Sequence, residues 1–287
     1  MNPISFCKFH GFGNDYIVFA AEELKDVSSL SDFAVRVCRR HTGIGGDGIA
    51  VLEKLSGDEA ADYECRIINP DGSEAGFSGN GTRCAVAYLH YKNLWRERNL
   101  RLQTVSGLKN YELLKREGGG ETFWFRAELG KPKLASDEIP FLADEKFERI
   151  TDYELRLANG VLSITALNVG NPVAVVFVDD FDELDWRAIG KETEVHPQFP
   201  ARANVVFVKT NDMENIEIRI WERGAGETSS SGTCSIAAAV AHLLRENLRG
   251  TVQVHATGGT TEAVWREDDE MLITGRADLA FCGEIQG

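Results

Sequence analysis

The chain reads as an α+β protein in two similar halves, each a β-sheet wrapped round one central buried helix. Three features of the sequence predict this. Strand-length segments of alternating polarity dominate, two helical segments are apolar on every face, and the loops entering those two helices share one plan.

In the first half, strands are expected at 4–9 (ISFCKF), 47–52 (DGIAVL), 63–68 (YECRII), 101–105 (RLQTV), 111–117 (YELLKRE) and 122–129 (TFWFRAEL). After a looser region over 131–150, more follow. They are ERITDYEL, GVLSITALN, VAVVFVDD, ANVVFVKT, IEIRIWER, TVQVHA, TEAVWRE and MLITG, the last over 271–275. The segments 30–40 and 182–190 have the single apolar stripe of surface helices packed on a sheet.

Two further helices, TRCAVAYLHYKN from Thr82 and CSIAAAVAHLLREN from Cys234, are apolar nearly all round and must be enclosed by protein. Enclosure creates a difficulty, because the first amides of a helix have no internal partner and are costly to leave dry. Each helix is preceded by a small-residue loop, SGNG at 78–81 and SGTC at 231–234, that lets a small anion reach those amides. Upstream, RIINPDGSE and RIWERGAGE occupy matching places, so the halves form an internal pseudo-repeat. If the halves face each other, two helix N-termini point at one carboxylate, and Ser78 and Ser231 flank the carbon beside it. Taken singly, each serine is also an ordinary helix cap.

Composition narrows the function classes. At 287 residues the chain suits two domains, and a formal charge of -14 argues against nucleic-acid or anionic-membrane partners. The opening MNPISFCKFHGFGND lacks the apolar core of a signal peptide, and no stretch has the roughly 20 apolar residues of a membrane span, so a cytoplasmic location is expected. Six scattered cysteines without a CxxC pair fit neither a disulfide scaffold nor a zinc site, and buried thiols are expected at each.

The segments KFHGFGNDYIV, HTGIGGDGI, NPDGSEAGFSGNGTRC, VGNPVAVVFV, FPARANVVFV and WERGAGETSSSGTCS resemble, in order, the motifs of the diaminopimelate epimerase family. The resemblance implies two domains of mixed sheet round a central helix, with the active site in the cleft between them. The expected division is 1–121 with 275–287, and 122–274. It further implies a small amino-acid substrate, no cofactor, no metal and a homodimer. The reaction implied is conversion of LL- to meso-diaminopimelate by removal and return of the α-proton, for lysine and peptidoglycan precursors.

By position, the resemblance assigns Asn14, Asn69, Asn171, Asn204, Glu222 and Arg223 to the substrate's distal amino-acid end. Arginine holds a carboxylate bidentately, glutamate pairs an ammonium, and amides orient both. These residues favour diaminopimelate over a substrate without a second amino-acid centre. Gly79, Asn80, Gly232 and Thr233 would present amides to the carboxylate at the reacting carbon.

The catalytic pair departs from the pattern. The family has cysteines where this chain has Ser78 and Ser231, a histidine at the place of Val173, and tends to glycine at that of Cys234. A thiol titrates near 8.5 and a water-like hydroxyl roughly seven units higher, so a serine alkoxide costs up to about 10 kcal/mol more. Helix-end charge contributes only about 0.3–2 kcal/mol towards that gap. Three readings stay open: serines introduced into an inert enzyme, a divergent isomerase using another base, or a protein that binds an amino acid without turnover. Glu222, Asp71, His41 and Cys234 are the candidate bases, Cys234 because a helix N-terminus lowers a thiol's pKa. Cys84 is read as packing.

Overall fold

The computed structural model describes residues 3–57 and 60–286. The chain forms two compact units, Met1–Ala127 with Thr274–Gly287, and Glu128–Ile273.

The first unit opens with β1 (Pro3–Gly11), β2 (Asn14–Ala20), α1 (Leu30–Val37), β3 (Ile49–Lys54) and β4 (Tyr63–Ile68). It continues with β5 (Glu74–Ala75), α2 (Gly79–Tyr91), β6 (Asn99–Thr104), β7 (Gly107–Glu117) and β8 (Thr122–Gly130). The second unit holds β9 (Ile150–Leu157), β10 (Gly160–Asn168), β11 (Pro172–Phe177), α3 (Trp186–Glu194), β12 (Asn204–Thr210) and β13 (Asn215–Glu222). It ends with β14 (Gly226–Thr228), α4 (Gly232–Arg245), β15 (Gly250–Ala256), β16 (Gly259–Trp265) and the start of β17 (Met271–Gln286).

The internal repeat is explicit in the strand pairing. β1/β2 is antiparallel, β2/β3 parallel, β3/β4 antiparallel, β4/β6 parallel and β6/β7 antiparallel, with β5 folded back on β4. β10 to β16 repeat the same series: antiparallel, parallel, antiparallel, parallel, antiparallel, with β14 folded back on β13. Parallel pairs need a crossover: α1 and α3 lie in the first of each half, and α2 and α4 in the second. α2 packs against β1, β2, β3 and β4, and α4 against β10 to β13, β15 and β16. Every residue of α2 from Gly79 to His90 and of α4 from Gly232 to Leu244 is buried, as their all-round apolar sequence requires. No helix among the described residues is long and apolar enough to cross a membrane.

Several sequence expectations need correction. Strand β2 was not foreseen, because NDYIVFA is buried at five successive positions, Asp15 to Phe19, and its apolar part YIVFA shows no alternation. The helix expected over 182–190 begins at Trp186, where Asp185 caps it by accepting from the Ala188 amide. The last strand runs to Gln286, and its second half pairs with β1 in a register that sets Cys7 opposite Cys282. These two cysteines form a disulfide across 275 positions of sequence, so only Cys38, Cys65, Cys84 and Cys234 are buried thiols. No local spacing announces a pair that distant.

The buried end of α2 has a consequence for stability. His90 lies against Phe123 and Phe125, with ring centroids 6.4 and 5.6 Å away, and Arg116 Nη2 is 3.3 Å from its Nδ1. Burial first, and the Arg116 cation second, push its pKa down to about 4. A histidine whose folded pKa lies below its unfolded value binds fewer protons when folded, so acid favours unfolding. That penalty is absent above about pH 6.5 and complete below about 4. Urea midpoints taken over this window should therefore fall for the wild type relative to His90→Gln, and parallel curves would show that His90 is not the titrating group.

Candidate active site

Helices α2 and α4 begin three and two residues earlier than their sequence suggests, at Gly79 and Gly232, which makes Ser78 and Ser231 their N-caps. Both serines have extended backbone angles, and their Oγ atoms accept from the third helical amide: Gly81 at 3.1 Å and Cys234 at 3.5 Å. The next amides, of Thr82 and Ser235, bond to the serine carbonyls at 2.9 Å. The capping bonds thus fall beyond the first two helical residues, Gly79–Asn80 and Gly232–Thr233.

In the first unit, β1 turns into β2 through Phe12 and Gly13, both at positive φ (54° and 92°), the requirement of a tight two-residue hairpin. This sets Asn14 and Tyr16 on one face of β2, with successive contacts along the start of α2. Tyr16 Oη lies 2.8 Å from Ser78 Oγ, and Asn80 Nδ2 donates to Asn14 Oδ1 at 3.2 Å. Gly11 admits the Asn80 amide, since a Cβ there would stand 2.8 Å from its Oδ1. Arg83 Nη1 donates to Asn80 Oδ1 at 2.9 Å, and Asn14 Nδ2 donates to Asp47 Oδ2 at 2.8 Å. A cation at one end and an anion at the other therefore set the orientation of both carboxamides.

Both ends of that chain are electrostatically costly. Arg83 is only 1% exposed, its Nε and Nη2 have no hydrogen-bond partner among the described residues, and burial lowers its pKa. Burial, then the Asp15 charge, raises that of Asp47. Asp15 is lowered: burial opposes ionisation, but bonds from Arg40 and Lys8 outweigh it.

Asn69 is not joined to this group by any of its hydrogen bonds. Its side chain donates to Ser73 Oγ at 3.0 Å, closing the turn after β4. Asp71 serves the same turn, and its bonds from the Ser73 side chain and backbone hold its carboxyl below the usual range.

In the second unit, Asn204 links two other sequence candidates, Asn171 and Arg223. Its Nδ2 donates to Asn171 Oδ1 at 3.1 Å, and its Oδ1 accepts the Arg223 amide at 2.8 Å. The Arg223 guanidinium donates to the Ala201 carbonyl at 2.8 Å. Glu222 receives two hydroxyls, Thr228 Oγ1 at 2.7 Å and Ser231 Oγ at 3.1 Å, while Thr233 Oγ1 lies 3.3 Å from Ser231 Oγ. Val173 is fully buried in β11 beside Asn204 and offers no polar atom.

The remaining candidate bases fare unequally. Cys234 is fully buried, and desolvation, then the Glu222 charge, push its thiol up, so the expectation of a thiolate at a helix end is wrong here. Cys84 is likewise buried in α2 with its thiol raised by desolvation. His41 is exposed in a turn. Tyr16, Asp47, Arg83 and Thr228 enter the site although sequence reasoning did not single them out. The signal for Tyr16 was its place two residues after Asn14, which on a strand is the same face.

Chemically, each serine hydroxyl is bonded to a more acidic group, a phenol in one unit and a carboxylate in the other. These ordinarily titrate near 10 and 4.3, far below an alkoxide.

Comparison with known proteins gives the lineage. The model of the diaminopimelate epimerase family matches residues 6–134 and 165–280. A diaminopimelate epimerase of Heliobacterium modesticaldum is 37% identical over 98% of this chain and 99% of its own length. Another, of Pelotomaculum thermopropionicum, is 38% identical over 97% of this chain and 98% of its own. Among solved structures, a phenazine biosynthesis protein of the PhzF family from Bacillus anthracis aligns over 100% of both chains with a TM-score of 0.67 at 18% identity, a likeness of fold. With the matched residues spanning both halves of the repeat, the chain belongs to the diaminopimelate epimerase family.

Proposed function

We propose that this protein is an amino-acid epimerase that interconverts LL- and meso-diaminopimelate, with serines at both positions where the family carries its cysteine acid–base pair. The observation that carries this reading is the Ser231–Glu222 bond at 3.1 Å, which gives a serine hydroxyl access to an attainable base. Glu222 accepts the proton of Ser231 as Ser231 accepts the substrate's α-proton. The C–H electron pair stays on carbon and spreads into the adjoining carboxylate. Family membership assigns the amides of Gly79, Asn80, Gly232 and Thr233 to the carboxylate that carries this enolate-like charge. It assigns the return of a proton to the second serine, Ser78.

Glu222 accepts from Ser231 and Thr228, and its carboxylate is also of the charge that pairs with an ammonium. Asn14, Asn69, Asn171, Asn204 and Arg223 bind the distal amino-acid end; the bonds linking Asn171, Asn204 and Arg223 support this for the second unit. The assignment of domains to 1–121 with 275–287 and to 122–274 belongs to the same reading, as do a homodimer, a cytoplasmic location and turnover without a cofactor. The family membership supports them.

Incubation with LL-diaminopimelate in D2O tests the reading. Deuterium should appear at the α-carbon together with the meso product. Binding without exchange, with exchange restored by Ser78→Cys combined with Ser231→Cys, would instead make the chain an amino-acid-binding protein on this scaffold. Neither binding nor exchange would remove diaminopimelate as the substrate.

A further inference from the structure

Ser78 and Ser231 cap equivalent helices, and counted back from them over the same length of chain Ile68 matches Trp221; the strand registers carry this match to the neighbouring strands. Ile49 pairs with Ile17 and Ile68 in the first unit, and Val205 pairs with Ala174 and Trp221 in the second. Ile17 therefore matches Ala174, Tyr16 matches Val173, and Ile68 matches Trp221. One residue further along each of β4 and β13, Asn69 matches Glu222. The serines cap equivalent helices, yet their partners come from different repeat positions. Ser231 is bonded to Glu222 while the place of Tyr16 is taken by apolar Val173. Ser78 is bonded to Tyr16, while Asn69, at the place of the glutamate, is turned into its own loop.

We propose that Tyr16 is the proton-holding group behind Ser78, a positioning residue that acts on the substrate through the serine. This rests on the epimerase reading above. Tyr16 is 6% exposed, and the backbones of two glycines close on one edge of its ring. A Cβ on Gly48 would lie 2.8 Å from its Cε1, and one on Gly81 2.9 Å from the same atom. Burial and this close backbone approach seat the ring with its hydroxyl 2.8 Å from Ser78 Oγ.

The serine oxygen has one hydrogen and two lone pairs, and Gly81 N–H occupies one pair. When Tyr16 donates into the other, the serine's own hydrogen is the one directed away from both. In the forward step the carbanion's electron pair takes that hydrogen and a C–H bond forms. The serine O–H breaks, the serine oxygen takes the tyrosine hydrogen, and a phenolate remains, bonded to the regenerated hydroxyl. Reversal removes the α-proton. Charge thus rests on a phenol rather than an alkoxide, a difference of about six pKa units or roughly 10⁶-fold in equilibrium.

The test is a double-mutant cycle on the full chain, following epimerisation and α-deuterium exchange of LL-diaminopimelate. Tyr16→Phe should lower kcat about 10²–10⁴-fold with KM changed less than about threefold. In a Ser78→Cys background, where a thiol holds its own proton, the same change should cost less than about tenfold. Equal losses in both backgrounds, or no loss with Ser78 present, would reduce Tyr16 to packing and leave the epimerase reading standing. Absence of exchange in the unsubstituted protein would sink both. If Tyr16→Phe does not fold, difluorotyrosine at position 16 keeps the shape and acidifies the phenol. The alkaline limb of the rate for protonation by Ser78 should then move to lower pH, and an unmoved limb overturns the proposal.

Discussion

Glu222→Gln should lower kcat for α-proton exchange about 10³-fold, within the range expected when a general base is removed. The substitution keeps the shape of the side chain but leaves one acceptor oxygen, so one of the two hydroxyl bonds, from Thr228 Oγ1 at 2.7 Å or from Ser231 Oγ at 3.1 Å, must reverse to accept from the new NH2. Above all it removes the ability to take a proton. A serine hydroxyl left without that acceptor has no carboxylate to take its proton as it receives the substrate's, and the proton must go to a weaker base. KM should rise as well, because the pairing with the substrate's ammonium is lost. Thr228→Val is the control: it removes the other hydroxyl on the same carboxylate and should change kcat less than about tenfold. Steady-state epimerisation with deuterium exchange reads both effects. A Glu222→Gln enzyme that keeps kcat and loses only KM would confine Glu222 to substrate binding and require another base behind Ser231.

The two helices were legible because burial leaves a direct mark on sequence: a helix enclosed by strands is apolar nearly all round, as α2 is from Cys84 to Leu89 and α4 from Ile236 to Ala241. Their starts were misplaced for an instructive reason. Glycine, asparagine and threonine are poor helix formers, so SGNG and SGTC read as loop, whereas in the fold the serine caps allow helix from Gly79 and Gly232 onward. The repeat was visible as a weak echo between RIINPDGSE and RIWERGAGE, and strand pairing shows that it reaches to the register of single residues.

The site was legible to the extent that its residues lie in motifs, and no further. Ser78, Asn80, Glu222 and Ser231 could be named from their neighbours in the chain. The Tyr16–Ser78 bond spans 62 positions, and a tyrosine in an apolar strand looks like any other core aromatic. Arg83 likewise sits in a helix that reads as all apolar; only the fold shows its charge buried behind Asn80. The orientation of an amide is a property of its hydrogen-bond network, and networks made across strands leave no local signature.

Reducing the Cys7–Cys282 disulfide should cost about 2–5 kcal/mol, because the bond closes most of the chain into one loop, its ends 275 positions apart. The gain from a cross-link grows with the length of chain it ties in the unfolded state, and few single-chain loops are longer. The bond joins β1 to the second half of β17, the strand that brings the C-terminal residues into the first unit. For a unit of this size the loss corresponds to a fall in Tm of roughly 8–20 °C on adding reductant. Cys282→Ser should lower Tm to the reduced value and make it insensitive to reductant. Cys84→Ala should leave the sensitivity intact, since that thiol is buried within α2 and takes no part in the bond. Disulfides seldom persist where glutathione keeps thiols reduced, so in a cytoplasmic setting the pair would stand as two thiols and the protein would work at its lower stability. Calorimetry with and without reductant decides the matter: a Tm that does not move would mean that the β1/β17 pairing holds the C-terminal strand without the covalent link.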